Sequence, residues 1–121
     1  MEVVVQNGAN HCLSRAEVEK FTPLFPSSWS AVVEKILLAR GGLAPVTAFY
    51  PKAKELCLSC SIVEGEANKA EAVVELLVAL AAIKEKGILP QKLNTSFRKQ
   101  LELATLELKN KCLERLYTCA T

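Results

Sequence analysis

The segment CLSC places Cys57 and Cys60 at the spacing of a chemical motif. A CxxC pair can hold zinc or carry out thiol redox chemistry, because its two thiolates can reach one ion or each other. A redox CxxC pair normally follows a strand. A zinc site needs two ligands besides Cys57 and Cys60, and the only other candidates that come as a pair are His11 and Cys12. Because we expect Cys57 and Cys60 inside a helix, we interpret them as buried core thiols, with metal or redox chemistry as the alternatives.

His11 and Cys12 also raise the possibility of a Cys–His nucleophile, but the side chains of adjacent residues rarely converge. His11 is the only histidine, and every acidic residue is Glu. The absence of Asp excludes an EF-hand loop and an aspartic dyad. Gly41 and Gly42 follow a predicted helix and would end it, so they do not form a phosphate loop. The sequence therefore predicts a protein that is not an enzyme and binds no cofactor or metal.

Composition narrows the class of protein. The 121 residues suit one domain, and half of them are apolar but only 6% aromatic, which predicts an aliphatic core. A net charge of +2 is too small to indicate nucleic acid by itself. Five cysteines, an odd number, follow an N-terminal segment without a basic region or a long apolar run. We therefore expect an intracellular, reducing compartment, the cytoplasm or the nucleus, and no membrane span.

Local signals divide the chain into short helical segments. Ser14 and Glu17 have the spacing of a capping box, and Gly87 would end a long helix. The segment EVVV has strand propensity, but we find no second strand-like run to pair with it, so it is expected to be an extended arm. The prediction is a single all-α domain over residues 1–121, a bundle of about five helices of unequal length. Its parts are an arm at 1–13 and helices at about 14–21, 28–40, 51–63, 67–86 and 96–118.

The segment 67–86 is expected to be the central helix of that bundle. Glu71, Glu75 and Lys86 mark a narrow polar line on its helical projection. The remaining apolar arc spans roughly 220°, whereas a surface helix needs only about 100°. Such a helix must be covered by neighbours on at least two sides.

The last predicted helix has two apolar lines on nearly opposite sides. One contains Phe97, Leu101 and Cys112 and can face the bundle. The other must meet either another helix of this chain or another molecule. Trp29 is a second candidate for a partner contact, with a core anchor as the alternative. The candidate interface therefore consists of Leu103, Leu106, Leu113, Tyr117 and Trp29.

These patterns favour a non-enzymatic protein–protein interaction or adaptor domain that self-associates, as a homodimer, or docks a protein partner through apolar helix faces. The alternative is an RNA- or DNA-binding helical protein that uses its basic segment. Between positions 84 and 115 there are eight Lys or Arg and four Glu, a local net charge of +4. The candidate nucleic-acid residues are Lys84, Lys86, Lys92, Arg98, Lys99, Lys109, Lys111 and Arg115.

Overall fold

The computed structural model describes residues 1–6, 11–42, 44–60, 67–87 and 95–117. These residues form four strands and four helices, joined between the first helix and the second strand by two 3₁₀ turns. The elements in chain order are β1 (Glu2–Val5), α1 (Arg15–Phe21), the turns Thr22–Leu24 and Ser27–Ala31, β2 (Lys35–Ala39), β3 (Val46–Tyr50), β4 (Glu55–Ser59), α2 (Ala67–Lys86), α3 (Thr95–Ala104) and α4 (Leu106–Tyr117). The protein is α/β, and the predicted all-α helical bundle is wrong.

The four strands form one mixed sheet in the order β1-β2-β4-β3. Strands β1, β2 and β4 are parallel, and β3 runs antiparallel to β4 at one edge. Ile36 lies at the centre of the sheet, paired with Val3 on one side and Leu56 on the other. The N-terminal segment is therefore held by β2, a segment that its apolar pattern predicts to be part of a helix.

Two predicted helices are wrong for the same physical reason. The helix expected at 28–40 is a 3₁₀ turn followed by β2, and the helix expected at 51–63 contains a turn at 51–54 and then β4. The runs KILLA and ELCLS are short and apolar, so their periodicity fits a buried strand as well as a helix. β2 pairs on both sides with segments about twenty or more residues away, which no local pattern contains, whereas β4 pairs with β2 on one side and with the nearby β3 on the other.

Local signals agree better with the structure at the helix ends. Ser14 accepts a hydrogen bond from the backbone N–H of Glu17, whose side chain accepts one from the backbone of Ser14, so the capping box is formed. Helix α2 covers 67–86, the range expected for the central helix, and is followed by Gly87 at φ +70°. The helix expected at 96–118 is divided into α3 and α4 at Thr105.

The core lies between one face of the sheet and the helices. Alternate strand residues, among them Ile36, Leu38, Leu56 and Leu58, are fully buried against the apolar side of α2. The other face carries the row Val4, Leu37, Cys57 and Ala48, which the strand register places side by side. Within the described residues, no helix combines the length and the hydrophobicity needed to cross a membrane.

Candidate functional site

A surface cleft lies where α3 and α4 pack beside α2. Its larger part has a volume of about 530 Å³ and is lined by Val74 of α2 together with Leu103, Leu106, Lys99 and Lys109. Lys99 and Leu103 come from α3, and Leu106 and Lys109 come from α4. Leu103 is 72% exposed and Leu106 is 43% exposed. The cleft therefore presents two adjacent leucines between two lysines.

The cleft continues toward the sheet. A second part, of about 430 Å³, shares Val74 and Lys109 with the first and extends to Leu113, Glu71 and the Ala44–Pro45 segment before β3. Leu113 is half-buried and packs against the core. The two parts adjoin at Val74 and Lys109, and together they form a groove from α3 toward the segment before the edge strand.

An ion-pair network fixes one wall of this groove. Arg98 of α3 donates hydrogen bonds to the carboxylate of Glu75 on α2. It also donates through Nε to Glu102, at 3.1 Å. The hydrogen bond to Glu75 holds the pKa of the partly buried Arg98 guanidinium above its usual value. Arg98 therefore positions α3 on α2, and its charge is already balanced by two acids.

The two cleft lysines have a different environment. Within the described residues, neither Lys99 nor Lys109 takes part in an ion pair. Glu102 lies in the same part of the cleft but is engaged by Arg98. The groove therefore carries two cations available to a negatively charged group on another molecule.

The remaining residues of the predicted interface lie elsewhere. Tyr117 is 45% exposed at the end of α4, outside the cleft. Trp29 is only 6% exposed and packs on Phe25, with the two ring centroids 5.4 Å apart. Of the predicted set, the structure brings together Leu103, Leu106 and Leu113, whereas Trp29 contributes to the core.

The other predicted basic residues do not gather on the cleft. Lys84 and Lys86 lie at the end of α2, and the Lys86 ammonium is 5.4 Å from the centre of the Phe97 ring. Lys111 pairs with Glu107 at 3.5 Å. Arg115 donates to the Lys20 carbonyl of α1 at 3.4 Å. Lys92 lies outside the described residues.

The cysteine motif is divided between two environments. The thiol of Cys57 lies 3.6 Å from the Ser59 hydroxyl, whereas Cys60 hydrogen-bonds with Cys12. Burial, reinforced by the contact with Cys60, raises the pKa of the Cys12 thiol far above its usual value, so Cys12 is not a reactive thiolate at neutral pH. Burial likewise raises the pKa of Cys112 to about 11.

His11 lies next to this pair and has a structural role. Its Nδ1 is 3.9 Å from the Cys12 sulfur and 3.0 Å from the Leu13 backbone nitrogen, and its Nε2 is 2.9 Å from the Leu58 carbonyl oxygen. Both ring nitrogens are thus engaged by the backbone. Among the residues that the structure describes, no group of three or more His, Cys or Glu side chains could hold a metal ion.

Comparison with known proteins gives no relative. No protein-family model, curated protein or solved structure matches this chain. The functional argument therefore depends on the cleft itself. Of its parts, the sequence identified the leucines and the lysines but not Val74 or the Glu75–Arg98 contact, which depend on how α3 packs on α2.

Proposed function

We propose that this chain is a non-enzymatic protein-interaction domain whose cleft docks an amphipathic helix that carries acidic residues beside its apolar face. The observation that carries the proposal is the adjacent pair of exposed leucines, Leu103 and Leu106, placed between Lys99 and Lys109. A contiguous apolar patch bordered by charged residues is typical of a docking surface. Val74 of α2 adds a third apolar side chain to the lining of the same cleft.

The shape and charge of the groove favour this partner over others. An amphipathic helix fills an apolar groove with side chains at positions i, i+3 or i+4, and i+7. Lys99 precedes the leucine pair on α3, and Lys109 follows it on α4. Acidic residues at both ends of a docked helix would therefore meet a lysine each, which would orient the helix and accelerate its association.

We also propose a reducing, intracellular location. The four cysteines in the described part of the chain are buried and form no disulfide with one another. Buried thiols used as small apolar side chains are compatible with a compartment that keeps thiols reduced. Localisation of a fluorescent fusion, with secretion as the contrary result, tests this proposal.

A pair of synthetic helical peptides tests the docking proposal. Both carry leucines at i, i+4 and i+7; one is flanked by glutamates and the other by lysines at the same positions. We expect fluorescence anisotropy to show micromolar binding of the acidic peptide and about tenfold weaker binding of the basic one. Failure of both peptides to bind at about 1 mM would contradict the proposal, since a preformed groove should bind at that concentration.

Matched variants assign the binding to the cleft. Leu103→Glu combined with Leu106→Glu should abolish binding of the acidic peptide, because it replaces the apolar contacts by charges. Lys99→Glu combined with Lys109→Glu should reverse the preference between the two peptides. Lys84→Glu combined with Lys86→Glu, a change of equal charge at the end of α2, should leave both affinities unchanged.

Nucleic-acid binding is the competing outcome of the same experiment. RNA or DNA bound through Lys84, Lys86 and their neighbours would dissociate steeply as salt is raised, because bound phosphates release counterions. A filter-binding titration with duplex and single-stranded RNA at several salt concentrations measures this. Salt-sensitive RNA binding that the Lys84/Lys86 variant abolishes, without peptide binding, would replace the docking proposal.

A further inference from the structure

The outer face of the sheet, which points away from the core, is apolar at its centre. Within the described residues, all four helices pack on the other face, since each contributes side chains to the core cluster that contains Ile36. The strand register places an apolar row across the outer face, made of Val4, Leu37, Cys57 and Ala48. Parallel strands such as β1, β2 and β4 normally belong to sheets that are covered on both faces. The outer face is therefore a candidate surface for a second layer.

A row of polar side chains crosses the same face beside the apolar row. It consists, in strand order, of Glu2, Lys35, Glu55 and Tyr50. Tyr50 is 53% exposed, and Glu2 is exposed as well. Within the described residues, neither the lysine nor the two glutamates take part in an ion pair. These three charges are therefore available to a molecule that covers the outer face.

We propose that a second copy of the same chain covers the outer face, so that the two sheets pack face to face about a twofold axis. The axis runs parallel to the strands, midway between β2 and β4, and it reverses the strand order of one copy relative to the other. Sheets that pack in this way lie about 10 Å apart, with their strand directions within about 30° of each other. Each row of one copy therefore meets the same row of the other copy in reverse order.

The polar row complements itself under this operation. Lys35 of each copy comes opposite Glu55 of the other copy, so that two such contacts form. Glu2 comes opposite Tyr50, whose hydroxyl can donate a hydrogen bond to the carboxylate. Because electrostatic complementarity selects the partner of an interface, a row that complements its own reverse favours a second copy over an unrelated protein.

The apolar row has matching side-chain sizes under the same symmetry. Leu37, the largest side chain of the row, comes opposite Cys57, and Val4 comes opposite Ala48. A large side chain that faces a small one lets two layers interdigitate, as in closely packed cores. The contact would remove these side chains from water, which favours association. The cleft formed by α2, α3 and α4 takes no part in this interface, so the inference is independent of the docking proposal.

Sedimentation velocity tests whether the dimer exists. The outer face is only four strands wide, so we expect a small interface and a monomer–dimer equilibrium between about 10 and about 500 µM. Leu37→Lys should give a folded monomer, because it places two lysines near each other in an apolar layer. Leu103→Glu with Leu106→Glu, on the helices, should leave the dimer intact.

Three results of that experiment would overturn the proposal. The first is a wild type that stays monomeric at the upper concentration. The second is a dimer that the Leu37 variant leaves unchanged. The third is a dimer that the double variant of Leu103 and Leu106 dissociates, because that result would place self-association on the helices.

Charge reversal tests the orientation of the two sheets. Lys35→Glu alone puts two glutamates opposite each other at both contacts and should weaken the dimer about tenfold or more. Its combination with Glu55→Lys puts opposite charges at the same contacts again and should restore the dimer. Circular dichroism checks that both variants are folded. A double variant as weak as the single one, or a single variant as strong as the wild type, contradicts the proposed axis.

Methyl NMR spectra of the wild type give a measurement that needs no charged variant. The methyl resonances of Leu37 and Val4 should shift as the protein concentration rises, whereas those of Leu103 and Leu106 should not. In a mixture of isotope-labelled and unlabelled chains, the labelled Leu37 methyls should show nuclear Overhauser contacts with Cys57 of the unlabelled chain. Shifts confined to the leucines of the cleft, or a predominantly dimeric mixture without the contact between chains, overturn the proposal.

Discussion

His11 attaches the loop before α1 to the sheet by accepting and donating one hydrogen bond each. Because the Leu58 carbonyl can only accept, Nε2 carries the proton of the neutral ring. Nδ1 lies 3.0 Å from both the Leu13 backbone nitrogen and the Leu13 carbonyl oxygen, so it accepts from the N–H in the neutral ring and can donate to the carbonyl when the ring is protonated. Burial lowers the pKa of His11 below its usual 6.5, although hydrogen bonds to the Leu58 and Leu13 backbone oppose this effect. The native state therefore holds a neutral imidazole.

This histidine should make folding stability depend on pH just below neutrality. At pH values between the lowered native pKa of His11 and 6.5, the unfolded chain binds a proton that the native chain does not. The contribution of the neutral His11 to the free energy of unfolding is therefore fully present above pH 6.5 and is lost as the pH decreases. We expect urea unfolding to show a lower free energy of unfolding at about pH 5.5 than at about pH 7.5.

The matched variant is His11→Asn. This variant should be less stable than the wild type at both pH values. The difference in its free energy of unfolding between the two pH values should be much smaller than that of the wild type. The pKa of Glu17 lies below its usual 4.5, so this carboxyl group titrates outside the range from about pH 5.5 to about pH 7.5 that the experiment covers. A variant that retains the full pH dependence would assign the effect to groups other than His11.

At the scale of elements, the connection after β2 depends on close contact with the end of β4. A Cβ atom on Gly41 would lie 2.7 Å from the Ser59 Cβ, 2.8 Å from the Ser59 carbonyl carbon and 2.9 Å from the Cys60 nitrogen. Two of these atoms are backbone atoms of the sheet and cannot move independently. By contrast, a Cβ on Gly42 would meet no atom within 4 Å.

We therefore expect Gly41→Ala to lower the free energy of unfolding by about 1–3 kcal/mol, as overpacking does elsewhere. Gly42→Ala, the neighbouring control, should leave it within about 0.5 kcal/mol of the wild type. Urea unfolding monitored by Trp29 fluorescence measures both values. Equal stabilities of the two variants would mean that the connection does not pack tightly on β4.

The elements also differ in how far their sequences predict them. Helix α1 has its capping box, and α2 ends beside a glycine, so both carry their signals within their own segments. The run VTAFY between Pro45 and Pro51 has the β-branched and aromatic residues that favour a strand, although the predicted all-α bundle contains no strand there. In KILLA and ELCLS no residue type distinguishes a strand from a helix, because a short apolar run is compatible with both.

At the scale of the whole molecule, α2 is the element on which the other layers pack. It contacts β3, β4, α3 and α4, and most of its apolar side chains are fully buried. Leu77 in its middle is inaccessible to solvent. The broad apolar arc seen on its helical projection is thus covered on several sides, by a sheet on one and by helices on others.

Leu77→Ala should therefore lower the free energy of unfolding by about 2–5 kcal/mol, because the close-packed surroundings cannot fill the cavity. Leu103→Ala is the matched control: the same change at a side chain 72% exposed should alter stability by less than about 0.5 kcal/mol. Thermal or urea unfolding compares the two. A small effect at Leu77 would contradict the central position of α2.

The sequence by itself determined what depends on neighbours in the chain: the capped start of α1 and the extent of α2. Only the tertiary structure decided the fold class, because β2 pairs with β1 and with β4 across about twenty or more residues, and these pairings join the strands into one sheet. It also decided that Trp29 is buried and that Arg98 joins Glu75, since both depend on which elements meet. Periodicity records the apolar face of a segment, whereas the identity of the surface that covers it comes from long-range packing.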